Sequence, residues 1–135
     1  MPDDLKKGEL NKDWGYRIET PFYIVSSSDS GRYLDLLSNQ MVIKTPNGRT
    51  SQQWFFNQQT KTIRSWRTRS YSWTVKKNNM VVGGTNSEWY QLFKYDTEKL
   101  NFYNVKDLKV LDVEGHRDEE GNKVVTAKSE KKQAF

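Results

Sequence analysis

Gln52-x-Trp54 returns as Gln91-x-Phe93, 39 residues on, and again as Gln133-x-Phe135, a further 42 residues on. A step of about 40 residues held three times restricts the chain to architectures built from one supersecondary unit used repeatedly. Other positions keep the same step. Ile24 and Ile63 are 39 apart, with Phe102 another 39 on, and Val42, Val81 and Val124 begin a short apolar run in each unit, as MVIK, MVVGG and KVVTAK. Each unit opens on a segment with a polar turn in its middle, FYIVSSSDSGRYLDL, TIRSWRTRSYSWTV and LNFYNVKDLKVLDV, which is a hairpin signal. The run carrying the glutamine pair is then the fourth, so the pattern predicts four strands per unit and about twelve in all.

Helical periodicity is absent over any useful window, and short β-rich runs broken by Ser, Asn, Gly and Lys dominate, so the chain reads as all-β. Its 135 residues fit a single domain. Only 34% of residues are apolar but 13% are aromatic, so the core is assembled from a few large side chains rather than many aliphatic ones.

The wording of the units resembles the ricin B-type lectin repeat. The resemblance rests on GRYLDL with VIKTP, SQQWFF and TIRS in the first unit, and on KVLDV, GNKVVTAK and KKQAF in the third. SWTVKKNNMVVGG with YQLF, in the middle unit, is the most degenerate copy. The resemblance covers about residues 20–135, as repeats 20–58, 59–97 and 98–135, and leaves residues 1–19 as an N-terminal arm anchored by Trp14 and Tyr16. It implies a β-trefoil of three four-stranded repeats with pseudo-threefold symmetry. It also implies that Trp54, Phe93 and Phe135 pack around the axis while Gln52, Gln91 and Gln133 tie the backbone of their loops by hydrogen bonds. A buried amide is tolerated on those terms, since an unpaired one costs about 1–3 kcal/mol. Phe135 falls where the last strand begins, so the fold is expected to be nearly complete within the chain, which reads as the first domain of a longer protein or as a domain short of its tail.

A sugar-binding unit of such a family would present an aspartate in its Leu-Asp-Val segment, an aromatic platform after the third-strand run, and an Asn beside the Gln. Asp35 and Asp112 match the aspartate, whereas the middle unit has Thr74. The platform position falls at Thr45, Gly84 and Ala127, none aromatic, and the Asn position at Ser51, Tyr90 and Lys132. The ligand-binding candidates are therefore Asp112, His116, Asn122 and Asp35, with the third unit favoured because His116, Arg117, Asp118 and Asn122 crowd its loop and His116 offers a substitute stacking ring. The alternative is that Asp35 and Asp112 cap the turns that follow them and His116 is merely solvated.

Arg64, Arg67 and Arg69 interleave with Trp66, Tyr71 and Trp73 in a second constellation, and Trp89 stands on a similar footing before the second Gln-x-aromatic pair. Guanidinium groups among aromatics suit an acidic protein surface, phosphate contacts or base stacking, which makes Arg64, Trp66, Arg67 and Arg69 candidates for a protein partner, and for nucleic acid or anionic lipid as a weaker option. An ordinary hairpin with its arginines in water is the plainer reading. The net charge of +5, from 22 basic and 17 acidic residues, is spread along the chain and reads mainly as a solubility feature.

With one histidine, no cysteine, no Gly-rich phosphate loop and no metal-ligand spacing, an enzyme, a cofactor or a metal centre is not expected, and the adjacent Asp118, Glu119 and Glu120 read as a solvated loop. The lack of cysteine favours a cytoplasmic address, and no apolar run is long enough to span a membrane. Two functions compete: a lectin-like module binding a glycan at one degenerate site, and an intracellular trefoil that kept the scaffold, lost sugar binding and holds a protein, such as a cytoskeletal one.

Overall fold

The computed structural model describes residues 20–28, 30–129 and 135; the N-terminal arm, Lys132 and Gln133 lie outside the described residues. Among the described residues ten strands form: β1 (Tyr33–Leu37), β2 (Gln40–Lys44), β3 (Trp54–Asn57), β4 (Thr62–Ser65), β5 (Tyr71–Lys76), β6 (Asn79–Gly84), β7 (Phe93–Asp96), β8 (Asn101–Asn104), β9 (Val110–Val113) and β10 (Val124–Ala127). They make a β-trefoil. The expected opening strand of the first unit is reduced to two bridges, Phe22 to Trp54 and Val25 to Tyr33, while Phe135 is buried where the twelfth strand would begin.

In each unit the second and third strands form an antiparallel hairpin, β1–β2, β5–β6 and β9–β10, and the fourth strand of one unit pairs with the first of the next, β3 with β4 and β7 with β8. Lys77 and Asn78 turn the β5–β6 hairpin with φ of 51° and 67°, the left-handed pair that a two-residue turn needs to match strand twist. The β9–β10 connection is longer, running over residues 114–123 with a single 3-10 turn at Glu114–His116.

Pairing register corrects the sequence alignment of the third unit. Asp35 faces Val42, Thr74 faces Val81, and Asp112 faces Val125, so Val124 is level with Met41 and Met80 instead of Val42 and Val81. Met41, Met80 and Val124 are all fully buried, as a shared core position requires. The same register sets Ala127 level with Lys44 and Gly83, one residue before Thr45 and Gly84. The sequence step slipped because the long third loop has no counterpart in the other units.

The core is layered by repeat. Leu34, Trp73 and Leu111 form one equivalent set, and Trp54, Phe93 and Phe135 another, all buried. Trp73 lies at the centre, edge-on to Trp54, Phe93 and Phe102 at 5.9, 5.8 and 5.1 Å. Three such ring pairs supply directional packing beyond burial alone. No helix among the described residues is long and apolar enough to cross a membrane.

Candidate functional site

The glutamines hold the loops that flank the sugar-type positions. Buried Gln52 accepts from the Asn47 amide at 2.9 Å through Oε1 and donates through Nε2 to the Thr45 carbonyl and to Asp35 Oδ2, at 2.9 and 3.1 Å. Gln91 repeats the pattern, accepting from the Asn86 and Ser87 amides and donating to the Gly84 carbonyl and to Thr74 Oγ1. A threonine hydroxyl thus replaces the aspartate of the first unit without stranding the amide. Both glutamines have their donors and acceptors paired, which is what permits them in the core.

Asp35 is 3% exposed, with Oδ1 accepting from the Leu36 amide and Oδ2 from Gln52. Neither Thr45, at the expected platform position of its unit, nor Lys44 before it carries a ring. Asp112 is equally buried, at 2%, and its Oδ1 accepts from the Val113 amide at 2.8 Å. Its Oδ2, however, lies 2.7 Å from Nδ1 of His116, whose side chain is 59% exposed. The loop achieves this by two successive left-handed residues, Gly115 at φ 64° and His116 at φ 56°, which fold the chain back over the aspartate. A carboxylate below and an exposed imidazole above are therefore joined in this unit.

Asn122 is engaged inside the same loop. Its Nδ2 donates to the Glu114 and Arg117 carbonyls at 2.9 and 2.7 Å, and its Oδ1 accepts from the Lys123 amide, so it braces the loop that carries His116. Asp118 and Glu120 depart from the solvated loop expected of Asp118, Glu119 and Glu120. Arg32 donates to Asp118 Oδ1 and to Glu120 Oε1, both at 2.9 Å, Ser30 donates to Asp118, and Glu120 accepts from the Thr45 amide and hydroxyl. Backbone bonds between Ile43 and residues 121 and 122 complete a clasp from the third unit onto the first. The hydrogen bond from Ser30, before those from Ser28 and Arg32, holds Asp118 below the usual carboxylate range, and the Thr45 amide, before Arg32, does the same for Glu120. Sequence gave no sign of the pairing, since Arg32 lies 88 residues from Glu120. Only the wider spacing from Asp112 to Gln133, 21 residues against 17 from Asp35 to Gln52, marked an enlarged loop.

The arginine hairpin is tied to the fold. Arg67 donates to the Leu36 and Ser38 carbonyls at 3.1 and 2.9 Å, closing the end of the β1–β2 hairpin, and Arg64 donates to Thr60, Thr62 and the Arg69 carbonyl. The Arg69 guanidinium lies 3.6 Å from the centroid of the Trp66 ring, which also meets Phe55 edge-on at 5.3 Å, leaving Trp66 half-buried. Trp89 is freer, 39% exposed beside Tyr90, with the Lys106 ammonium 4.9 Å over its ring.

A β-trefoil of three repeats, with buried Gln-x-aromatic pairs in the first two, is the architecture of a lectin-type class. The model of the ricin-type β-trefoil lectin domain matches residues 20–135, and the chain belongs to that family. No curated protein sequence matches it. Among solved structures it is similar to the C-half of an earthworm R-type lectin in complex with GalNAc, at 16% identity and TM-score 0.73, covering 85% of this chain and 95% of that one. It is similar also to ThreeFoil, a designed 3-fold symmetric protein, at 16% identity and TM-score 0.71, covering 83% and 94%. A third is a non-toxic homologue of type II RIPs from Momordica charantia (bitter gourd) in complex with α-methyl-D-galactoside, at 14% identity and TM-score 0.73, with 85% of this chain covered but 45% of that chain.

Proposed function

We propose that the chain is a non-catalytic carbohydrate-binding module with one working site, in the third unit. The observation that carries the reading is the 2.7 Å contact between Asp112 Oδ2 and His116 Nδ1, by which a buried carboxylate seats an exposed ring over the loop. With Nδ1 engaged by the carboxylate, Nε2 is the imidazole nitrogen left for a hydroxyl, and the ring face is available to the apolar face of a sugar. Asp35 has no such companion, so the first unit is assigned to scaffolding. The earthworm lectin is a complex with GalNAc and the bitter gourd protein a complex with α-methyl-D-galactoside, which makes galactose-type sugars the first to try.

The test is a glycan array with the full chain at two salt concentrations, which separates charge-driven adhesion from specific contacts. Selective, salt-insensitive binding is expected. His116→Ala should weaken it at least about tenfold by removing the ring and its hydrogen bond, and Asp112→Ala should weaken it by releasing that ring, while Asp35→Ala leaves it in place. Binding that survives His116→Ala removes the third-unit site.

A protein-binding reading draws on Trp89 rather than the arginine hairpin, because an exposed Trp–Tyr pair is the composition of an interaction hot spot. A blank array, together with a captured protein lost on Trp89→Ala, is the result that favours it.

A further inference from the structure

The hairpins β3–β4 and β7–β8 face each other without a strand ladder between β4 and β7 among the described residues. Between them opens a groove of about 850 Å³, walled by Phe22, Phe56, Tyr95 and Phe102 and including Lys61 and Lys94. Phe22 and Tyr95 remain exposed, so this is apolar surface in contact with water and not a sealed core. Lys61 and Lys94 are exposed and stand at the mouth, and among the described residues neither has a carboxylate partner. The backbone of Lys61 is set by the turn, with φ 62° and its amide donating to the Asn57 carbonyl at 2.8 Å.

We propose that this groove binds a single-chain amphiphile with a carboxylate head, a free fatty acid, with the tail against the aromatic walls and the head between Lys61 and Lys94. Its volume lies within the range of about 300–1,000 Å³ usual for small-molecule sites. Apolar walls alone would take any greasy molecule; two lining ammonium groups without a carboxylate partner among the described residues select an anionic head over a neutral one. A singly charged carboxylate is chosen over a multiply charged head because Lys61 and Lys94 are the charged side chains among the described lining residues. The groove is built from the first and fourth strands, whereas the lectin-type site lies on the β9–β10 hairpin, so the two sites stand or fall separately.

The experiment is calorimetric titration of the full chain with sodium dodecanoate below its micelle-forming concentration, with 1-dodecanol as a head-group control. One saturable site is expected for dodecanoate, with dodecanol about tenfold weaker, the effect of losing two part-exposed ion pairs. The double variant Lys61→Glu, Lys94→Glu changes only exposed side chains. It should bind dodecanoate at least about tenfold more weakly and dodecanol unchanged, and should keep wild-type glycan binding. Phe102→Gln should weaken both ligands if it folds; the lysine variant decides the matter if it does not. The proposal is overturned by the absence of saturable binding, which is also the result if another part of the chain fills the groove. Equal affinity for acid and alcohol overturns it too, as does binding confined to phosphatidylserine vesicles, which would mark a membrane surface.

Discussion

Trp54 and Trp73 are both fully buried, but their indole nitrogens differ. Trp54 Nε1 donates to the Leu34 carbonyl at 3.1 Å, whereas Trp73 Nε1 is buried without a partner. Trp54→Phe removes a made hydrogen bond and Trp73→Phe removes an unmade one, so the second should cost less by about 1 kcal/mol despite its three ring contacts. Urea unfolding of the two variants measures this, and equal losses would mean that ring packing alone sets the cost. The sequence exposed the role of such residues only in part. The family resemblance carried by the Gln-x-aromatic pairs implied that Trp54 and Phe93 are core residues, and both are buried. That Thr74 Oγ1 would stand in for the Asp35 carboxylate toward Gln91 was hidden, since the substitution looks like loss of a binding residue and is a conserved geometry in different atoms.

At the level of elements, the strands were legible because alternation and polar turns are local, period-2 signals. The hairpin expected of each unit's first two strands, however, is a single residue pair, Val25 with Tyr33, Arg64 with Ser72 and Tyr103 with Val110, and the full ladders join the second and third strands instead. The β9–β10 loop was not legible, because a repeat says nothing about an insertion found in one copy, and aligning across it displaced Val124 by a residue. Its fold depends on Gly115, whose φ of 64° suits glycine. An added Cβ would meet Arg117 Nη1 at 2.5 Å, but that is the end of a flexible side chain, so the backbone decides the cost. Gly115→Ala should lower stability by about 1–2 kcal/mol, the penalty for an L-residue in the left-handed region. It should also lower glycan affinity, because His116 rides on that turn. Thermal melts and titration with the array's best sugar report the two effects; full affinity with reduced stability would detach the turn from the site.

For the whole molecule, the clasp of Arg32 with Asp118 and Glu120 ties the third unit to the first. Both carboxyl groups have folded values below those of an unfolded chain, so their contribution to stability is complete above the ordinary carboxylate range. It is lost as pH falls through the ordinary values toward and past the lowered ones. Stability should therefore decline on acidification through that window, and less so in Glu120→Gln, as followed by melting temperature against pH; parallel curves would show that other carboxylates dominate. The trefoil itself was legible at this scale from the threefold step, whereas the clasp was not, since it joins residues 75–88 positions apart through side chains with no repeat. That separation has a kinetic consequence. Contacts so distant along the chain form only after the entropy of closing a long loop has been met, so the clasp is among the last to assemble. Open repeat arrays grow by adding neighbours one at a time. Here the last unit must return to the first, and folding ends by closing a ring.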